Sequence, residues 1–164
     1  MFPDIKNILY ATDLSENARY ALKYASVIAN RFEATITVLH VLEELSPSFS
    51  GMVSEIVGKD RWADLKKRNK EKIIESIRTR IEDLCNETNQ NPQGFSFIVQ
   101  KIIVEIGHPA DQIIHYAEKK EYDMVIMGSH GQGFFSEAML GSTSRRVLKR
   151  CIKPVLIVRL PESA

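Results

Sequence analysis

Short apolar runs alternate with amphipathic stretches along the whole chain. The runs cover 7–11, 35–42, 97–106, 123–127 and 154–158. They are rich in β-branched residues, which predicts buried strands. Between them, apolar residues recur at three- and four-residue steps, most clearly from Ala18 to Phe32, which predicts helices. Because strands of this kind are buried on both faces, the pattern predicts a doubly wound α/β fold with helices on both sides of a parallel sheet.

One segment, 43–59, breaks the alternation. It contains Ser46-Pro47-Ser48, Ser50-Gly51 and Gly58, which are residues typical of loops. Connections this long without secondary structure are uncommon and are either functional or mobile. We predict a mobile loop here, which could also serve a protein partner. The chain that follows, 60–85, carries apolar residues on one side and charges on the other, which predicts a helix with a solvated face.

Composition fits one globular domain spanning residues 1–164, with 44% hydrophobic and 26% charged residues. The net charge is only +1, which argues against a general binder of nucleic acid or anionic membranes. No apolar run approaches the roughly 18 residues of a membrane span, and the first six residues lack a signal-peptide core. Two isolated cysteines, Cys85 and Cys151, suggest reduced thiols rather than a disulfide framework or a zinc site. We expect a cytoplasmic protein.

Candidate chemistry collects where the predicted strands end, because ligands of doubly wound sheets bind at the carboxyl ends where the winding reverses. The fourth strand is followed by Gly128-Ser129-His130-Gly131-Gln132-Gly133, seven further residues, and then Gly141-Ser142-Thr143-Ser144. Glycines let backbone amides approach a ligand, and a helix that begins at Ser142 offers free N–H groups. Hydroxyls on 142–144 add donors for phosphate oxygens. The sequence therefore predicts an anion cradle.

Two familiar nucleotide motifs do not fit this chain. It has no G-x-x-x-x-G-K-[ST], which excludes a P-loop. Gly131-x-Gly133-x-x-Ser136 approaches the dinucleotide pattern G-x-G-x-x-G, but it follows the fourth strand and no βαβ unit comes after it. We therefore set aside the interpretation as a dehydrogenase.

The spacing Gly128-x2-Gly131-x9-Gly141-Ser142 resembles the glycine signature of the universal stress protein family, in its ATP-binding branch. Further marks are Ala11-Thr12-Asp13, Val38-Leu39-His40-Val41 and Gly107-His108-Pro109, which follow or lie on the first three strands. The resemblance covers nearly the whole chain, from about Ile5 to Val158. Ala11 stands where the family often has Pro, and Thr143 where it often has Val, and neither change removes a hydrogen-bond donor.

The resemblance implies a five-stranded parallel sheet of order 3-2-1-4-5, with Asp13 and Gly128 facing each other across one crevice. It also implies an adenine nucleotide (ATP, ADP or AMP) in that crevice, with any Mg²⁺ arriving as a bridge between phosphates. The implied binding residues are Ala11, Thr12, Asp13 and Val41 toward the adenosine, Met127 and Gly128 against adenine or ribose, and His130, Gly131, Gly141, Ser142, Thr143 and Ser144 around the phosphates.

Function is predicted to be nucleotide binding of the regulatory, stress-response type, with the nucleotide as a signal or a switch for a protein partner. No catalytic residue is assigned, because His130 has no carboxylate partner by motif and the sequence offers no evident arginine finger. Asp13 could alternatively serve only to stabilise its turn. A slow ATP-hydrolysing or ATP pyrophosphatase-like enzyme stays open, although a Ser-Gly-Gly loop is missing after the first strand. An interaction module working through 43–59 without a ligand is a further alternative.

Assembly follows from the implied strand order, which puts 154–158 at an edge of the sheet. Residues 155–158 are all apolar, and an unprotected apolar edge invites pairing with another chain. A two-fold axis would close such pairing as a homodimer. The alternative is an edge that is covered or solvated.

Overall fold

The computed structural model describes residues 1–131 and 139–161, so the motif positions Gly133 and Ser136 lie outside the described residues. Its elements in chain order are β1 (Asn7–Ala11), α1 (Glu16–Phe32), β2 (Thr35–Leu42), α2 (Pro47–Val57), α3 (Lys59–Asn89), β3 (Ile98–Ile106), α4 (Pro109–Ala117), β4 (Met124–Gly128), α5 (Ser142–Arg150) and β5 (Val155–Val158). All five predicted strands are present, and their observed ends differ from the predicted ones by no more than a residue.

The strands form one parallel sheet in the order β3-β2-β1-β4-β5, which confirms the predicted topology. Strand β1 pairs with β2 on one side, with Asn7 opposite Thr35, and with β4 on the other, with Ala11 opposite Met127. The winding direction therefore reverses between β1 and β4. Their carboxyl ends lie side by side there, which is where a crevice opens in sheets of this kind.

Hydrophobic cores lie on both faces of the sheet. Ile8 and Tyr10 pack with α1 and α3 on one face, while Leu9 packs with α4 and α5 on the other. Successive side chains of a strand point to opposite faces, so β1 must be apolar at nearly every position. This explains why the strands appear in the sequence as continuous apolar runs rather than as alternating ones.

Helix α1 begins where its sequence predicts. The Ser15 side chain accepts a hydrogen bond from the amide of Ala18 at 3.2 Å, and Glu16 complements the positive end of the helix. Its buried face is rich in alanine, with Ala18, Ala21, Ala25 and Ala29 at most 3% exposed. Small side chains let the helix approach the sheet closely, so its first turn lies directly behind the crevice.

Segment 43–59 is where the prediction of a loop is wrong. It contains helix α2, and its last residue, Lys59, is the first residue of α3. The residues that suggested a loop form the helix ends instead: the Ser46 side chain caps α2 at the amide of Phe49, and Pro47 occupies its first turn. Gly58, at φ +91°, makes the junction with α3, a backbone conformation that glycine adopts without strain.

Helix α2 packs only weakly on the rest of the molecule. None of its residues is buried, and Ser50 Oγ accepts hydrogen bonds from two side chains of α3, Trp62 Nε1 at 3.1 Å and Lys66 Nζ at 3.4 Å. Phe49, Met52 and Ile56 are each about half exposed or more. The mobility of 43–59 stays a prediction.

Strand β5 lies at one edge of the sheet, hydrogen-bonded to β4. Val155, Leu156 and Ile157 are half-buried, and Val158 is buried. Homodimer formation through this strand stays a prediction. Within residues 1–131 and 139–161, no helix combines the length and the apolar character needed to cross a bilayer.

Candidate functional site

A cavity of about 350 Å³ opens at the carboxyl ends of β1, β2 and β4, between the N-termini of α4 and α5. The structure brings all twelve sequence-predicted site residues to its wall. Five further lining residues were not predicted: Ala18, Leu39, Glu43, Pro109 and Ile113. A cavity of this volume is in the range that holds a small organic ligand or cofactor.

One end of the cavity is apolar. Leu39 and Val41 come from alternate positions of β2, and Met127 comes from β4. Pro109 and Ile113 lie one turn apart on α4 and close the opposite side. The strand period of two could have added Leu39 to the predicted set, because Val41 was already in it. The resulting slot suits a planar, weakly polar group.

The other end is formed by the first turn of α5, whose N-cap is Gly141. Glycine has no side chain that could accept hydrogen bonds from the first-turn amides, and no acidic residue lies in that turn. The amides at a helix N-terminus lack partners within the helix, and the helix dipole makes them an anion site. Ser142 is exposed and Thr143 is half-buried at this position.

Ser144 has a different role from the one predicted. Its side chain is only 2% exposed, and its hydroxyl lies 2.6 Å from the Ser129 carbonyl oxygen and 3.1 Å from that of Gly141. A hydroxyl has one proton to donate, and both neighbours are acceptors. Ser144 therefore binds the backbone of the glycine loop, the segment between β4 and α5 whose described residues are 129–131 and 139–141, rather than offering a donor to a ligand, because its position on the helix turns it inward.

The turn after β1 presents Asp13 at the cavity. Asp13 Oδ1 accepts a hydrogen bond from the Ser15 amide at 3.0 Å, and Thr12 Oγ1 accepts one from the Leu14 amide at 3.0 Å. Leu14 has a φ of +64°, a conformation that is uncommon outside glycine. Asp13 thus stabilises its turn, as the alternative interpretation held, and it does so while lining the cavity.

The Asp13 carboxylate lies beside Gly131. A Cβ on Gly131 would overlap Asp13 Oδ2, so the carboxylate occupies the space beside that glycine. Asp13 and Gly128 both line this cavity, and that they face each other across it stays a prediction.

His40 supports the same turn from behind, a role that sequence analysis missed. Its Nδ1 lies 2.8 Å from the Thr12 carbonyl oxygen, and because a carbonyl only accepts, the Nδ1 carries the proton. Burial lowers the pKa of His40 below its ordinary value of 6.5, with a nearby Arg80 acting in the same direction. His40 is therefore neutral near pH 7. The signal in the sequence was a polar residue inside an otherwise apolar strand.

Among residues 1–131 and 139–161, no three His, Cys, Asp or Glu side chains are grouped so as to hold a metal ion. His130 Nδ1 lies 3.0 Å from Ser129 Oγ, and Ser129 is 3% exposed. The two side chains therefore contact each other directly after β4, and His130 also lines the cavity.

The sequence model of the Universal stress protein family matches residues 4–159. This chain belongs to that family. The resemblance drawn from the glycine spacing is confirmed.

One relative of this universal stress protein matches nearly its full length. The universal stress protein MJ0577 of Methanocaldococcus jannaschii is 32% identical over 162 residues, covering 96% of this chain and 97% of the relative. The solved structure of MJ0577 superposes with a TM-score of 0.75 and covers 98% of this chain and 100% of that one.

Two more distant structures share the fold. A universal stress protein in complex with cAMP has a TM-score of 0.59 at 18% identity, covering 96% of this chain and 98% of its own. A universal stress protein from Archaeoglobus fulgidus in complex with dAMP has a TM-score of 0.55 at 18% identity, covering 94% and 98%. At this identity the two structures show the fold alone.

Proposed function

We propose that this universal stress protein binds an adenine nucleotide, ATP or AMP, in the described cavity, and that occupancy acts as a signal or a switch for a protein partner. One observation carries the proposal: a single cavity has an apolar slot at one end and the N-terminus of α5 with the glycine loop at the other. A nucleotide has the matching division into an apolar base and an anionic phosphate chain. Relatives of this fold in complex with cAMP and dAMP add support.

The base belongs in the apolar slot between Val41, Ile113 and Met127. Glu43 follows β2 and lines the same cavity. A carboxylate after the second strand of such a sheet is suited to accept hydrogen bonds from ribose hydroxyls. Asp13, in the turn after the neighbouring strand β1, lines the same cavity.

The phosphates belong at the first turn of α5, where the Ser142 hydroxyl and the first-turn amides, which lack partners within the helix, are donors for anionic oxygens. Mg²⁺ fits this site only when the bound phosphates supply its ligands, because the described residues include no group of three metal-ligating side chains. Magnesium bound in this way keeps several waters and needs few protein ligands.

Binding rather than turnover is the better supported activity. Asp13 accepts a hydrogen bond from Ser15, and His130 contacts Ser129. Both side chains therefore already contact other groups of the protein at the site. Phosphoryl transfer, in contrast, needs a group that orients the attacking nucleophile. Slow hydrolysis of ATP is the alternative activity, and the experiment must distinguish it from binding without turnover.

Two properties complete the proposal. The exposed edge of β5 supports a homodimer built through that strand. Cys85 and Cys151 are both free thiols, which supports a reducing compartment such as the cytoplasm.

The deciding experiment is calorimetric titration of nucleotide-free protein with ATP, AMP, adenosine and GTP. We expect one ATP per chain and binding of GTP at least about tenfold weaker, a difference of about 1.4 kcal/mol. Val41→Trp should block both ATP and adenosine because it fills the apolar slot. Ile152→Trp, at a site that is 77% exposed, is the matched control and should bind normally.

Chromatography of the ATP after an overnight incubation tests turnover. Intact ATP supports a binding protein, whereas stoichiometric or greater formation of ADP or AMP would favour the enzyme. Absence of any nucleotide binding by wild-type protein would contradict the proposal and favour an interaction module.

A further inference from the structure

Asn17 is a buried polar side chain in the first turn of α1, behind the cavity. It is 2% exposed, and it shares a helix face with Ala21 and Ala25, where an apolar residue would be expected. A buried amide is costly unless its polar atoms are paired. Each of its polar atoms has a partner in the structure, so the side chain is held in one orientation.

The partners of Asn17 fix which atom is which. Its Nδ2 donates to the Val158 carbonyl oxygen at 3.2 Å. Its Oδ1 accepts from the His130 amide at 3.1 Å and lies 3.4 Å from Ser129 Oγ. A carbonyl can only accept and a backbone amide can only donate, so a flipped amide would lose both of these backbone hydrogen bonds.

These contacts join three pieces of the molecule. Through Asn17, helix α1 holds the start of the glycine loop and the last residue of β5. The Ser129 amide also donates to the Val158 carbonyl at 2.9 Å, and the Ser129 carbonyl accepts from the Gly141 amide at 2.8 Å. Ser129 and His130, at the start of the loop, are therefore held on one side by α1 and β5, and His130 and Gly131 line the cavity.

Gly128 meets the same side chain. A Cβ on Gly128 would overlap Asn17 Oδ1 and approach the amide of Ala18 to 3.3 Å. The first glycine of the spaced motif is thus required by an atom of the protein itself, in addition to anything that a ligand requires.

We propose that Asn17 is a positioning residue for the ligand phosphates, acting through the glycine loop, and that Gly128 is glycine because Asn17 lies against it. The proposal rests on the proposed nucleotide binding, and it names a residue outside the cavity wall as a determinant of affinity. Asn17 holds the loop in the conformation that receives the phosphates, so its effect should grow with the number of phosphates.

The first test compares Asn17→Ala with Asn30→Ala. Asn30 lies on the same helix, is exposed, and makes one hydrogen bond to the Ser96 carbonyl, far along the sequence from the loop. We expect Asn17→Ala to bind ATP about tenfold more weakly, about 1.4 kcal/mol, and to bind adenosine as wild type does. Asn30→Ala should bind both normally. Equal losses for ATP and adenosine would overturn the positioning role, since general destabilisation would produce them.

A measurement without nucleotide keeps this proposal separate from the proposed function. Amide hydrogen exchange by NMR should show the His130 amide protected in wild type and exchanging at least about tenfold faster in Asn17→Ala. If wild type binds no ATP but this difference is found, the proposed function fails and the structural link stands. An unchanged exchange rate at His130 would refute the link itself.

The second test is a double-mutant cycle for Gly128. Gly128→Ala should lower ATP affinity severely in wild type but far less in Asn17→Ala, because the overlapping oxygen is gone. Such non-additivity is the signature of two groups in contact. If Gly128→Ala costs the same affinity in both backgrounds, the glycine is needed for the ligand alone and the proposal is wrong on this point. Thermal unfolding of the four proteins gives the same cycle in stability.

Discussion

The hydroxyl of Ser144 lies 2.6 Å from the carbonyl oxygen of Ser129, so the first turn of α5 is bound directly to the end of β4. The Gly141 amide donates to the same oxygen at 2.8 Å. One carbonyl thus aligns the helix N-terminus with the glycine loop. The helix N-terminus and the glycine loop are therefore already held together before an anion binds, so binding does not have to order them.

Ser144→Ala should therefore mainly lower the free energy of unfolding and have only a small effect on ATP affinity. Loss of one buried hydrogen bond costs about 1 kcal/mol, and the Ser129 carbonyl keeps its bond to Gly141. Urea unfolding should show this loss, and ATP affinity should fall only a few-fold. A hundredfold loss of affinity at unchanged stability would mean that the hydroxyl contacts the ligand after all.

Ser142→Ala should behave in the opposite way. Its side chain is exposed, so removing the hydroxyl leaves stability within about 0.5 kcal/mol of wild type. A hydrogen bond to a charged phosphate is worth about 1.5–3 kcal/mol, and its loss should weaken ATP binding roughly 10–100-fold. Calorimetry on the folded variant decides the matter. Unchanged affinity would show that the phosphates lie elsewhere.

His40 makes stability depend on pH in a definite direction. Burial lowers the pKa of His40 below 6.5 in the folded protein, whereas the unfolded chain titrates near that value. Between the two pKa values the unfolded state binds more protons, so this residue's contribution makes stability fall as pH falls through that window. We expect the free energy of unfolding to decrease from pH 7.5 to pH 5.5, and to decrease less in His40→Asn.

Comparison of two His40 variants separates titration from hydrogen bonding. Asn can place its amide nitrogen where His40 Nδ1 donates to the Thr12 carbonyl, so His40→Asn should keep most of the stability at pH 7.5. His40→Leu leaves that carbonyl without this donor and should cost about 1–3 kcal/mol. If the difference in stability between wild type and His40→Asn is the same at both pH values, His40 does not titrate as inferred.

Much of the fold could be predicted because the strands carry a strong local signal. Strand β1 is apolar at Ile8, Leu9 and Tyr10 because both faces of the sheet are covered, and this pattern by itself favours a parallel α/β sheet. The family resemblance, carried by the glycine spacing and the marks on the first three strands, then implied twelve binding residues, all of which line the cavity. What the resemblance could not indicate was which buried hydrogen bonds hold the cavity wall in place.

The missed residues are polar groups whose partners are distant in sequence. Asn17 contacts Val158 and His130, and His40 contacts Thr12. No local pattern connects such pairs. The hydrogen bonds of the Ser144 hydroxyl were missed for a related reason, since sequence shows a hydroxyl but not the direction in which a helix points it. In segment 43–59, Ser46, Pro47 and Gly58 occur both in loops and at helix ends, and composition does not separate these two uses.

Limited proteolysis should begin within segment 43–59 even though it contains α2. A helix without a buried residue opens locally at little cost in free energy, and exposed segments are cleaved first. Trp62→Phe removes the hydrogen bond to Ser50 and should accelerate cleavage. Mass spectrometry of the first fragments locates the cut. First cleavage elsewhere would show that α2 is held more firmly than its contacts indicate.

Backbone direction in β5 allows a sharp test of the homodimer. The carbonyls of Pro154 and Val158 accept hydrogen bonds from the amides of Val125 in β4 and Ser129 just after it. In a strand of a parallel pair, the amide and carbonyl of one residue point to the same side, and those of the next residue point to the opposite side. Ile157 therefore directs its N–H toward the open edge. Ile157→Pro removes that donor while the pairing with β4 remains, and proline is tolerated on an edge strand in this orientation.

Light scattering at micromolar concentration should give wild type at twice the chain mass of 18.7 kDa, and Ile157→Pro at or near that mass. Ile157→Ala keeps the amide and is the matched control, so it should remain largely dimeric. This control separates two effects of Ile157→Pro: the loss of the apolar area of the Ile157 side chain and the loss of the hydrogen bond that its amide donates across the dimer interface. A wild-type monomer, with or without ATP, would refute the dimer. A dimer that persists in folded Ile157→Pro would place the interface on another surface.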